Sequence, residues 1–239
     1  MKADRLFYVG TSAFFLLLTA MGFHAFVPQG LAAGGRVIDP RVFPIVVIHG
    51  AAIVAWYALF FVQSTLAAVR NRKLHMTLGW SVVVIAPLIT IAGTIVAVRS
   101  VQVTPPFVHL FGLAYSRFML LMLTEMLVFA GFVTAGFVTR KKPAVHRVMM
   151  LCASLALLSG ATARIPLLVP IFGDTGFFAL FRPVLAIALL LLLLRTIQTR
   201  SFQRVTVTSY AILFGIYAVA CAVAATHAWD SLATAILHF

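Results

Sequence analysis

Acidic residues are nearly missing from this chain: five Asp and Glu stand against 18 Lys and Arg in 239 residues. Only one of the five, Glu125, falls inside a long apolar run. Ser/His/Asp catalysis therefore has no other carboxylate at membrane depth. Cysteine is as scarce, with Cys152 and Cys221 alone. They form no CxxC pair and no CxxCH sequence occurs, so they read as small packing residues rather than a metal site or a disulfide. No GxxxxGK[ST] loop and no GxSxG elbow is present. No lysine lies within an apolar run, which excludes a retinal Schiff base. No soluble domain, low-complexity tract or long linker is found either.

Apolar residues fill the chain instead, at 63% of the total, with a mean hydropathy of +1.09. A soluble domain this apolar has no way to cover its surface. A transmembrane helix needs about 20 such residues in a row. Seven runs qualify: Leu6–Phe26, Phe43–Val69, Thr77–Val98, Phe118–Thr139, Val148–Ala163, Phe177–Leu194 and Val205–Trp229. Backbone groups in lipid must be satisfied within each segment, so all seven are expected to be helices. The expected fold is an all-α integral membrane bundle, one polytopic domain over residues 1–239. The second to fifth helices (about 43–164) form its core, flanked by those at about 6–26, 177–194 and 205–229. A basic stretch precedes the first segment, but no small-residue cleavage site follows it, so it is expected to remain as a helix.

The formal charge of +13 is spread in a way that argues against nucleic acid. Lys2 and Arg5, then Arg70, Arg72 and Lys73, then Arg140, Lys141, Lys142 and Arg147, then Arg195, Arg200 and Arg204 occupy alternate connections. The connections between them hold fewer cations and three of the acids, Asp39, Asp174 and Asp230. By the positive-inside rule the N-terminus lies in the cytoplasm and the C-terminus outside. The expected partner of the basic end is the lipid bilayer.

Four histidines stand at or before the starts of successive segments: His49, His75, His109 and His146. Antiparallel helices put His75 and His146 at the inner side, His49 and His109 at the outer. Paired neutral imidazoles on facing helices can ligate haem b iron, with Arg72, Lys73 or Arg147 beside the propionates. The same residues are equally readable as interfacial or interhelical hydrogen-bonding histidines. For His109 to be a ligand, the fourth helix has to begin early; if it begins at Phe118, Arg117 takes the outer position. Val69-Arg-Asn-Arg-Lys-Leu-His75 and Thr139-Arg-Lys-Lys-Pro-Ala-Val-His146 form a short internal repeat, a basic run before an aliphatic-His pair.

His49, Trp56, Gln63 and Arg70 recur every seven residues, one stripe of the second helix. Polar groups on such a stripe face protein or a cavity rather than lipid. An ionised carboxylate at the depth of Glu125 is expensive, so it is expected to be protonated or paired, with Arg117 or Arg164 as partner. Arg164 is eighteen residues beyond His146, a whole number of turns, so both are expected on one helix face. The alternative to an ion pair makes Glu125 a proton-handling group beside an outer pocket bordered by His49. An outer metal cluster of His24, His227, His49 and His109 lacks any HxxxH or HExxH spacing. His238, near the end of the chain, is expected to face solvent.

The His49-Gly50…Trp56 helix, followed by His75 and His146, resembles the cytochrome b-561 type of two-haem membrane protein over about residues 43–164. That resemblance implies one haem between His75 and His146, a second between His49 and His109, and electron transfer from a quinol or small reductant. The chain has one segment more than that family's usual count. The pattern His49-Gly50…Trp56…Gln63…Leu74-His75…Leu78-Gly79, then Glu125, then His146-Arg147…Arg164-Ile-Pro166 is also similar to an uncharacterised family of bacterial multi-pass inner-membrane proteins. That second likeness implies a topology and no activity. Two further functions stay open: a haem-free binding or transport protein with a pocket around Glu125, His49, Arg117 and Arg164, and an accessory subunit of a larger membrane complex.

Overall fold

A computed structural model of the chain describes residues 2–24, 29–32 and 36–237. His238, Phe26 at the expected end of the first segment, and Pro28, Gly34 and Gly35 of the first long connection lie outside the described residues. Seven helices among the described residues are long and apolar enough to cross a membrane, so the protein is an all-α membrane bundle. The first two spans are α1 (Lys2–Phe23) and α2 (Phe43–Ala68). The third is built from α3 (Arg72–Gly79) and α4 (Val82–Gln102), and the fourth is α5 (Tyr115–Val138). The fifth is α6 (Pro143–Ala156) continued by α7 (Leu158–Thr162). A short α8 (Val169–Phe172) precedes the last two spans, α9 (Arg182–Thr199) and α10 (Arg204–Ala224), and α11 (Asp230–Leu237) closes the described chain.

Local chemistry sets the ends. Proline stands in the first turn of α2, α6 and α9, where its missing N–H is one of the donors a helix start leaves unused. Asn71 caps α3, its Oδ1 accepting from the Leu74 N–H at 3.2 Å. Arg5 Nη1 donates to the Ala68 carbonyl at 3.3 Å, which places the start of α1 beside the end of α2. Alternation of the spans then gathers Arg70, Arg72 and Lys73 with Arg140, Lys141 and Lys142 at one end of the bundle, the basic end.

Neighbouring spans pack in chain order, α1 on α2, α2 on α4, α4 on α5 and α5 on α6, while α10 lies against both α5 and α6. The centre is aromatic: Trp56 meets Phe129 edge to face at 4.9 Å, and Phe181 stacks on Tyr217 at 4.0 Å. Trp56 Nε1 donates to Ser154 Oγ at 3.2 Å, so α2 reaches across to α6.

The fifth span is interrupted at Leu157. Carbonyls next to a break have no water to turn to in a bilayer. Here Tyr57 of α2 donates its hydroxyl to the Ser154 carbonyl at 2.7 Å, and Tyr217 of α10 donates to that of Ala156 at 3.1 Å. Both tyrosines are fully buried.

Opposite the basic end, His109–Leu110 and Leu113–Ala114 pair as a two-stranded hairpin, β1 and β2. Its two loop residues, Phe111 and Gly112, both have positive φ, 53° and 77°, the backbone of a type I′ turn.

Candidate functional site

A cavity of about 680 Å³ lies toward the end away from the basic connections. The Arg36–Val42 connection and the hairpin stand at its mouth. Its walls come from the first half of α2 (Val46, His49, Gly50, Ile53), the second half of α4 (Gly93, Val96, Ser100) and the first half of α5 (Tyr115, Phe118, Glu125). Gly160 and Arg164, from α7 and the turn after it, complete the lining.

Among the described acids Glu125 is the deepest, only 8% exposed, and it accepts a hydrogen bond from Ser159 Oγ. Arg164 lies within electrostatic range of both Glu125 and Tyr115. Its Nη1 donates to the Gly160 carbonyl, and the guanidinium sits 5.0 Å above the Phe23 ring. Beyond the break at Leu157, Gly160 and Arg164 meet the cavity, and Ser159 reaches Glu125 on its wall. Since α6 ends at Ala156 and Arg164 lies beyond α7, the eighteen residues from His146 to Arg164 are not consecutive turns of one helix.

His49 packs over Gly93: a Cβ there would stand 2.6 Å from its Cε1 and would also strike Met126. Glycine is what lets α4 approach the imidazole. The ring faces the Ile89 backbone and lies near Arg164, while its buried Nδ1 has no hydrogen-bond partner among the described residues. At the mouth, Arg36 donates to Thr104 Oγ1 at 2.9 Å and Tyr115 Oη at 3.2 Å, with its guanidinium 4.9 Å from the Tyr115 ring centre. Asp39 is held by Arg41 at 2.8 Å; hydrogen bonds from the Arg41 side chain and backbone pull its carboxyl down to about 2.

The structure thus brings His49, His109, Glu125 and Arg164 to one cavity. His109 is on β1 rather than on a helix, is exposed, and has its Nδ1 2.9 Å from the Phe107 carbonyl. The fourth span begins at Tyr115, between the two starts considered from sequence. Arg117 is directed elsewhere. It pairs with Asp230 at 2.7 Å, touches His227 Nδ1 at 2.8 Å, and borders an adjoining cavity of about 390 Å³ with Cys221, the two cavities meeting at His109, Phe111 and Leu180.

At the basic end, His75 Nδ1 lies 3.3 Å from the Gln63 carbonyl and His146 Nδ1 lies 2.8 Å from that of Gly136. The two imidazoles are within electrostatic range of each other. Gln63 stands beside them, and both polar atoms of its amide are buried without a partner among the described residues. Arg147 turns toward α1, with its guanidinium 5.3 Å from the Tyr8 ring centre. Trp56 belongs to the packed centre between the two ends. Among the described residues, no three His, Cys, Asp or Glu side chains assemble as a metal cluster. Cys152 and Cys221 are free thiols.

No family model, curated protein or solved structure matches the chain. Its chemistry has to be read from the residues themselves.

Several of those residues escaped the sequence reading. Ser159, Gly93, Tyr115 and Arg36 carry no motif, and only contact across helices gives them a role. Two had a signal: Arg36 as a cation on the acid-bearing side of the charge alternation, and Tyr115 as a member of the aromatic run with Phe107 and Phe111 after Pro105-Pro106.

Proposed function

We propose that the protein binds, or carries across the membrane, a small molecule lodged in the cavity around Glu125. The observation that carries this reading is the meeting of Glu125 and His49, from two spans, and Arg164, from the turn after a third, on one cavity of about 680 Å³. Sites of this kind are concave and mostly apolar, with a few converging polar groups. Ionisable side chains at membrane depth mark ligand or ion pathways more often than they mark structure. The positive-inside pattern supports a location in a bacterial inner membrane, N-terminus in the cytoplasm.

The test is a thermal-unfolding screen of the protein in nanodiscs against small amphiphiles, with Val46→Phe beside the wild type. Val46 is a buried wall residue, and the added ring occupies cavity space. A compound that raises the unfolding temperature of wild type and fails on Val46→Phe supports the reading. Equal shifts for both proteins would place binding elsewhere and sink it.

A second reading, membrane electron transfer through haem b, is favoured by the inner histidines. His75 and His146 each direct Nδ1 at a backbone carbonyl, the arrangement that leaves Nε2 as a ligand atom, and an unpartnered amide stands beside them. The inner pair fits haem in donor chemistry. The outer pair does not, because the His49 ring is packed against Gly93 and Met126 and His109 is on an exposed hairpin. A bound haem would supply one-electron redox chemistry, with quinol or a small reductant as donor and a larger membrane complex as a possible partner. A reduced-minus-oxidised spectrum decides it: sharp bands lost in His75→Ala and in His146→Ala support it, and a featureless spectrum from folded, haem-supplied protein removes it.

A further inference from the structure

We infer that the cavity takes an amphipathic monoanion, and that binding it is coupled to the uptake of one proton by Glu125. This rests on the ligand-binding reading above and adds the chemical class and the coupling.

The charges along the cavity are few and can be followed one by one. Asp39 is on the lining but is engaged by Arg41 through side chain and backbone. Arg36, at the mouth, has neutral partners, Thr104 and Tyr115, and no acidic partner among the described residues. An anion approaching from that end meets a guanidinium first. Deeper in, Glu125 and Arg164 line the same cavity within electrostatic range of each other.

Among the described residues, no other group facing Glu125 is a lysine or an arginine. Ser159, on α7, donates a hydrogen bond. Tyr57 of α2, and Tyr217 and Cys221 of α10, lie within its electrostatic range. His49 of α2 lies beside Arg164. Below Arg36, at the depth of Glu125, one guanidinium, that of Arg164, therefore balances one negative charge, either the Glu125 carboxylate or a ligand anion. Two anions against one cation would leave a buried charge uncompensated, which membrane-depth sites do not tolerate. Entry of an anionic head beside Arg164 thus requires Glu125 to take a proton from solvent onto a carboxylate oxygen. The apolar body of the ligand then lies along Val42, Val46, Ile53 and Val96, which line the same space.

The experiment uses the full chain in nanodiscs, with empty nanodiscs subtracted, and two probes of equal length. 1-Octanesulfonate is an anion that does not titrate in the working range; 1-octanol is its neutral counterpart. Affinity is measured from pH 5 to pH 8, and proton uptake is followed with an indicator dye in weak buffer. Sulfonate is expected to bind more tightly than octanol, to weaken by up to tenfold per pH unit in part of the range, and to draw up to one proton per molecule bound. Octanol is expected to show neither pH slope nor uptake. Glu125→Gln should bind sulfonate tightly at every pH with no uptake. Arg164→Gln should lose the preference for sulfonate while keeping octanol, which serves as the control for folding.

Octanol binding without any sulfonate preference overturns the inference and leaves the cavity reading standing. The same holds for sulfonate binding with no pH slope and no uptake, and for a pH slope that survives in Glu125→Gln. Binding of neither probe to wild type overturns both readings.

Discussion

Tyr57 and Tyr217 each place one phenolic hydroxyl on a carbonyl that the interrupted fifth span leaves over. Removing such a hydroxyl strands a buried acceptor, which costs about 1–3 kcal/mol. Tyr57→Phe and Tyr217→Phe are therefore each expected to lower stability by that order in reversible unfolding with a denaturing detergent. Tyr210→Phe, which removes a buried hydroxyl with no hydrogen-bond partner among the described residues, serves as comparison. If both central variants unfold like wild type, these hydroxyls are not what satisfies the break. A second prediction concerns Asp230. Hydrogen bonds from Arg117, then from His227, draw its carboxyl down to about 2. A group whose folded value is depressed stabilises above its unfolded value, about 3.9, and loses that contribution as pH falls toward 2. The attachment of α11 to α5 should accordingly loosen between pH 4 and pH 2. Amide exchange over residues 227–237 should speed up there in wild type and be fast at all pH in Asp230→Asn. Exchange that stays slow in the variant would count against the pairing.

At the scale of elements, the hairpin that carries His109 depends on Gly112, whose φ of 77° is one that residues with a Cβ adopt at a cost of about 1–2 kcal/mol. Gly112→Val should open the turn and raise amide exchange across 109–114 while the spans keep their helicity; unchanged exchange would refute that. This hairpin was not legible in the sequence. It sits in a connection rich in aromatics and proline, where a two-residue turn flanked by two-residue strands gives no periodic signal. The spans were legible because length and apolarity alone decide them in lipid. Their ends moved by a few residues where an N-terminal proline or a capping Asn71 outweighed hydropathy, as at Pro143 and Arg72. The break at Leu157 left no mark either, since no proline falls there and the groups that satisfy its carbonyls are tyrosines on other helices. For the site, Glu125, His49 and Arg164 stood out as ionisable groups in or beside apolar runs. Arg117 stood out equally, and nothing in the sequence foretold Asp230 as its partner, because α11 begins just past the last span.

For the whole molecule, the basic connections make orientation a direct test. Asn71 and Phe107 are exposed at opposite ends of the third span. With the N-terminus inside, a membrane-impermeant maleimide should label Phe107→Cys in intact spheroplasts, and Asn71→Cys only after permeabilisation. The reverse pattern would invert the topology and place the cavity mouth on the cytoplasmic side. The interrupted fifth span also bears on how the chain is made. It is the least apolar of the seven and the most deeply enclosed by protein, so its own affinity for the bilayer is the weakest. One of its two stranded carbonyls waits for Tyr217, on a span that leaves the ribosome after it. The centre of the bundle is therefore complete only once α10 has followed. Until then, half of the turn that presents Gly160 and Arg164 to the cavity is unsupported, and chains lost before α10 should be recognised by membrane quality control as unfinished.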